Sequence, residues 1–352
     1  MRHAQRAWIT SGCKGGIVKV EKVIKNLTER DYEILLTLYK YRTMTTRQIK
    51  KLFFEDVEKY HYRKMYLLKK DGYLGKTEPI VKYRQKVTSC YFVTNKAIKV
   101  LYDMGMIKRM NRAIDVRVDG IRLVYLVDVN EVYVQLKSFG WDMYDSRETK
   151  ERYNINRNSL IQGTLYHDEN ESYGFYVLSN DPEDITVQRL ISEMIEMRSE
   201  IESVIVLAKT QDGYGEFSER LKKELPQVKV DVRVMPYDIG LLVLKAIGKP
   251  SGRLKLFSHY GFVEKVVSDV SEYTVRHKGE EKYIVELLSN STDVKRRLFA
   301  YSPLKYKVTG KKVIVLTWRG FVEDLREEFM DYPHIEFEGI KGKHLEGMID
   351  GS

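Results

Sequence analysis

The sequence predicts a mixed α/β protein: an N-terminal three-helix unit closed by a β-hairpin, then two tandem α/β modules. Three observations carry this. Two capped amphipathic segments and a third, basic one succeed each other between residues 28 and 70, before the periodicity changes to that of strands. Residues 163 to 180 match residues 273 to 290 without gaps, and the positive charge is concentrated at the N-terminal end.

At 352 residues the chain can form two or three domains, each with its own core, and 43% hydrophobic with 31% charged residues excludes a disordered class. Residues 1 to 26 carry six Lys and Arg against one acid and read as a flexible basic tail. Residues 27 to 110 carry nineteen against nine, and residues 111 to 352 thirty-five against forty. An attraction to phosphate therefore acts in the first third, the plainer alternative being a solvated basic face. Cys13 and Cys90 are the only thiols, too few for a zinc site or a disulfide framework, which fits a reducing cytoplasmic compartment. The longest apolar run, Ile239 to Leu244, is far short of a membrane span, so no membrane partner is expected. No G-x-x-x-x-G-K-S/T loop is present, and no cofactor is expected.

Thr28 with Asp31 three residues on opens the first helix, ahead of Tyr32, Leu35, Leu36 and Tyr39. Thr45 with Gln48 forms a capping box for a short second helix with Ile49, Leu52 and Phe53 on its apolar side. The third helix spans Asp56 to Lys70 and stops at Asp71-Gly72. At 100° per residue its Val57, His61, Met65 and Leu68 form the packed side; Lys59, Tyr60, Arg63 and Lys70 lie opposite, with Tyr62 and Lys64 at the boundaries. Leu67 also points outward. Two strands follow, joined by the cationic tip Val81 to Lys86, and Thr94 caps a closing helix.

This order is that of a winged helix-turn-helix, whose third helix reads double-stranded DNA. Arg63 can donate two hydrogen bonds to a guanine edge, while Lys59 and Tyr60 reach phosphate. Lys82, Arg84 and Lys86 on the wing are phosphate candidates. Thr46, Arg47, Tyr62 and Lys64 complete the expected contacts.

The segments LTERDYEILLTLYKYRTMTTRQIKKLFF, YRKMYLLKKDGYL and CYFVTNKAIKVL resemble the start of the replication-relaxation family of plasmids and other mobile elements of Gram-positive bacteria. The helix IRLVYLVDVNEVYVQLKSFGW is similar to the segment that follows in that family. The resemblance covers about residues 27 to 150 and implies a role in replication, mobilisation or transcriptional control of such an element.

In the gapless repeat, at an offset of 110, Thr164 meets Thr274, His167 His277, Glu171 Glu281, Tyr173 Tyr283, and Leu178-Ser179-Asn180 meets Leu288-Ser289-Asn290. The aliphatic runs Val204 to Leu207 and Val313 to Leu316 read as strands covered on both faces. The expected organisation is a tail (1–26), a winged helix (27–108), a linker with a bridging helix (109–154), module one (155–236), a connector helix (237–265), module two (266–341) and a second tail (342–352).

Each module's order resembles the restriction-endonuclease-like core, in which an Asp and a Glu hold Mg²⁺ and a Lys steadies the attacking water. Module one has no acid in either slot. In module two Asp269 and Glu286 fill them, but Leu288 stands where the Lys belongs. His167 and His277 flank turns and read as solvated; Ser179-Asn180 and Ser289-Asn290 read as helix caps. The expectation is a non-enzymatic DNA-binding protein whose duplicated half assembles a second protomer or replication and transfer proteins. The alternatives are a metal-dependent nuclease using Asp269 and Glu286, and a protein-assembly platform.

Overall fold

The computed structural model describes residues 27–55, 59–77, 80–82, 85–87, 89–167, 171–179, 182–197 and 201–350; the basic tail, Cys13, Val57, Arg84 and Asn180 lie outside these. The chain is mixed α/β.

The N-terminal unit comprises α1 (Glu29–Tyr41), β1 (Met44–Thr45), α2 (Thr46–Phe53), α3 (Tyr60–Lys70), β2 (Leu74–Lys76), β3 (Ile80–Lys82), β4 (Gln85–Val87), β5 (Cys90–Val93) and α4 (Asn95–Asp103). Both capping boxes form, Thr28 with Asp31 and Thr45 with Gln48, and Thr94 caps α4 through the Ala97 N–H. The third helix begins at Tyr60 with Lys59 as N-cap, later than the expected Asp56. Strands β1, β5 and β2 form an antiparallel sheet, and β3 pairs with β4 so that Lys82 lies opposite Gln85.

Helices α5 (Ala113–Val116) and α6 (Ile121–Leu136) lead to β6 (Asp142–Asp145) and α7 (Ser146–Arg152). α6 docks the N-terminal unit: Gln48 donates to Val127 O at 2.8 Å, and the buried Asn130 donates to Tyr41 O and Thr43 O. The first large sheet continues with β7 (Gly163–Tyr166), β8 (Ser172–Leu178), α8 (Asp184–Glu196), β9 (Ser203–Ala208), α9 (Gln211–Glu224) and β10 (Asp231–Pro236). Next come α10 (Tyr237–Ile247), α11 (Pro250–Ser258), β11 (Phe262–Lys265), β12 (Tyr273–His277), β13 (Glu280–Glu286), α12 (Thr292–Ala300), α13 (Pro303–Thr309), β14 (Val313–Trp318), α14 (Val322–Glu328), β15 (Ile335–Ile340) and α15 (Gly342–Asp350).

The two five-stranded sheets share one topology. β6, β7 and β8 are antiparallel neighbours and β8, β9 and β10 parallel ones; β11 to β15 repeat this strand for strand. The leading edge strands β6 and β11 extend each unit upstream of residues 155 and 266, and the expected C-terminal tail carries α15. Residues 204–207 and 313–316 occupy β9 and β14 and are at most 1% exposed, as strands covered on both faces require.

The gapless alignment fails by one residue at the second strand. Thr164 pairs with Gly174, whereas Thr274 pairs with Tyr283 rather than Ile284. In the first hairpin five residues separate the paired Tyr166 and Ser172, whereas the second closes with the two-residue turn Lys278-Gly279, both at positive φ as such a turn requires. The shorter turn sets Arg276 opposite Glu281 instead of Lys282, avoiding a like-charge pair. A slip of one exchanges the faces of a strand. Tyr173 therefore joins the apolar cluster shared by both sheets, while Tyr283 faces the outer one.

That shared cluster contains the inner faces of both sheets, residues of α6, α10, α11 and α15, and the core of the N-terminal unit. Helices α8 and α9 cover the outer face of the first sheet, and α12 and α14 that of the second.

Candidate nucleic-acid interface

Helix α3 has two unlike sides because its apolar residues recur at helical spacing. His61, Met65 and Leu68 are at most 2% exposed and pack into the unit's core. Burial and the nearby Lys50 hold the His61 imidazole below its ordinary range, so the ring is packed and uncharged, as its placement among apolar residues predicts. On the other side Lys59, Tyr60, Tyr62, Arg63, Tyr66, Leu67, Lys69 and Lys70 are exposed. Four cations lie between residues 59 and 70 on that side with no acid among them. Tyr62 and Tyr66, one helical turn apart, are 64% and 62% exposed, and the Tyr62 ring centroid lies 3.9 Å from that of His61. Tyr66 and Lys69 extend this face: Tyr66 lies four residues from Tyr62 and three from Arg63, and Lys69 three from Tyr66, the spacing that locates them.

Lys64 does not belong to this face. Its Nζ lies 2.6 Å from Oδ2 of Asp31, whose side chain is fully buried. The same oxygen accepts from the N–H and hydroxyl of Thr28 at 2.8 and 2.9 Å. Lys64 is therefore an internal clamp between α3 and the start of α1 rather than a phosphate contact.

Thr46 is half-buried, and Arg47 is exposed but lines a recess with Glu131, Asp238, Lys245 and Glu346 of α6, α10 and α15. Both lie in the first turn of α2, whose last turn leads toward α3. The backbones of Lys82 and Lys86 lie in the β3–β4 hairpin; their side chains, and all of Arg84, are outside the described residues.

The second module does not assemble the carboxylate pair. Glu286 accepts from the N–H and hydroxyl of Ser289 at 3.0 and 2.8 Å and lies between Ile284 and Leu288 on the inner face of β13. Asp269 is 90% exposed beside Lys305 and precedes Val270, which packs on the outer face. The sheet lies between them. Among the described residues no group of three or more His, Cys, Asp and Glu is arranged to hold a metal ion.

Ser289 closes the turn below Glu286, and Ser291, not Ser289 or Asn290, caps α12. Glu183 stands at the N-cap of α8 in place of Ser179. His167 departs from a solvated turn residue: its side chain is 4% exposed, 3.2 Å from Glu171 and edge-on to Trp141. His277 is half-buried and bonds Tyr260 O at 2.9 Å. No helix among the described residues is long and apolar enough to cross a membrane. Comparison of the chain with family models, curated proteins and solved structures gave no match.

Proposed function

We propose that this protein is a non-enzymatic double-stranded DNA-binding protein in which the N-terminal unit acts as a winged helix and α3 enters the major groove. The observation that carries this reading is the division of α3 into a buried side and a solvent side bearing Lys59, Tyr60, Tyr62, Arg63, Tyr66, Lys69 and Lys70. Arg63 is the base-reading candidate, and the lysines and tyrosines serve the phosphates. The β3–β4 hairpin is the wing. The two sheets, whose matching topology supports an internal duplication, form the half that assembles partners, and the family resemblance of residues 27 to 150 supports replication, mobilisation or control of a mobile element as the setting.

The test is gel-shift binding to origin-proximal duplexes of the protein's own element. Arg63→Ala should cost about 1 to 3 kcal/mol and relax sequence preference, while Lys59→Ala weakens all duplexes alike. Retention of both affinity and preference by Arg63→Ala would refute this docking.

A second reading, protein docking through the same helix, is favoured by Leu67, 39% exposed beside Tyr66. Salt separates the two. Phosphate contacts make affinity fall steeply as salt rises, and an apolar interface does not behave so.

A further inference from the structure

A second cationic site lies at the far end of α1. A cleft of about 880 Å³ opens between the N-terminal unit, α6 and α7, and is lined by Arg42, Arg109, Arg122, Arg147, Lys150 and Arg157. Only Asp145 and Glu151 oppose them on its walls. Asp145 is already engaged, capping α7 and holding the Arg147 guanidinium at 2.9 Å. Among the described residues the guanidiniums of Arg42, Arg109, Arg122 and Arg157 take neither an ion pair nor a hydrogen bond. Arg42, Arg109, Arg122 and Arg157 come from four separate segments; the last three are exposed, so water screens their mutual repulsion, and an anion in the recess would meet cations from every side.

Three further features single out the cleft. Arg42, on its wall, adopts φ 67° with ψ −41°, a conformation a non-glycine residue keeps only where the surroundings fix it, whereas Asn154 (φ 50°) directly follows the end of α7, where asparagine takes the left-handed form readily. Burial lowers the Arg42 pKa and the neighbouring Arg147 adds to this, while Asp145 works against both. Asn130, 1% exposed, spends its amide on two backbone carbonyls and leaves Oδ1 without a donor among the described residues. Leu126, Val129 and Ile155 supply an apolar wall beside these polar groups.

We propose that the cleft binds a nucleoside polyphosphate. The cationic excess, six against two, matches the roughly four negative charges of a nucleoside triphosphate. The apolar wall suits a base. Volumes of about 300 to 1,000 Å³ are those of small-molecule sites, and a double helix cannot enter one. The cleft also stands apart from the α3 face: Arg42 lies 11 residues along α1 from Asp31, where α3 packs, which is about 17 Å.

Calorimetric titration of the full chain with the four ribonucleoside triphosphates, inorganic tripolyphosphate and a single-stranded oligonucleotide tests this. At least one triphosphate should bind saturably at one site per chain, about tenfold or more weaker in Arg122→Ala and in Arg157→Ala, since each loses a charge-assisted phosphate contact. Both side chains are exposed, so their removal leaves the core intact. Arg63→Ala should leave nucleotide affinity unchanged, which separates this site from the duplex-binding one. Absence of saturable binding, equal affinity in both variants, or tripolyphosphate binding as tightly as the nucleotide would overturn the proposal. So would oligonucleotide binding that the triphosphates cannot displace.

Discussion

Replacing Lys64 with methionine separates a structural clamp from a DNA contact. The residue carries a cation on a basic helix, yet its ammonium is 2.6 Å from a fully buried carboxylate. The other oxygen of that carboxylate, Oδ1, has no partner among the described residues, so Lys64 is the main compensation for the Asp31 charge. At an effective dielectric of about 20 the attraction at this separation is roughly 6 kcal/mol before desolvation is counted. Removing one partner of a buried pair costs about 3 to 5 kcal/mol. The two hydrogen bonds from Thr28 remain, which puts the expected loss near the lower end, about 3 kcal/mol. Hydrogen exchange reads this locally: amides of α1 and α3 should exchange roughly a hundredfold faster than in the wild type. The double variant Asp31→Asn/Lys64→Met removes both charges and keeps the cap acceptor, so it should recover more than half of the loss. Unchanged exchange in Lys64→Met, with duplex affinity reduced instead, would refute this reasoning.

Two further outcomes follow from titratable groups elsewhere. The Asp231 carboxyl is nine-tenths buried, which alone would raise its pKa, but Arg233 at 2.8 Å, the Asp293 N–H and the Ser291 hydroxyl outweigh burial and hold it below the usual carboxylate range. A depressed folded value contributes stability above the unfolded value of about 4 that is lost as pH falls through the folded one. Asp231→Asn should therefore flatten the acid limb of a denaturation-versus-pH series; identical limbs in variant and wild type would remove this assignment. Burial pushes the Cys90 thiol up to about 11 against the opposing hydrogen bonds of Thr43 and Thr77. At pH 8 its alkylation should require opening of the fold, and modification of Cys90 in the native protein at the rate of a free thiol would contradict that.

The helical beginning was legible because its signals are local. Each capping box spans four residues, and the buried side of α3 follows from spacing alone. The runs at β9 and β14 were legible for the same reason, since four β-branched or aliphatic residues in a row fit a strand covered on both faces. The edge strands were not. DMYD at β6 and FVEK at β11 each have one paired neighbour, and four residues give too little alternation to stand out. The register of the second hairpin depends on a two-residue turn that similarity of letters does not encode. Lys64 was misplaced because helical angle measures direction and says nothing of what waits at the end of a long side chain. The arginine cleft was invisible because its residues are spread from position 42 to 157 and meet only after α6 has docked.

The helical layer between the two sheets has a consequence for how little of the chain can be removed. Each sheet covers its outer face with its own helices, but its inner face is closed by α10, α11, α15 and α6, which belong to neither alone. Cutting between the halves, at any point from Tyr237 to Ser258, would strip both of a wall and leave apolar surface facing water on each fragment. Neither half is a portable piece, and the smallest self-sufficient version of this protein is close to the whole of it.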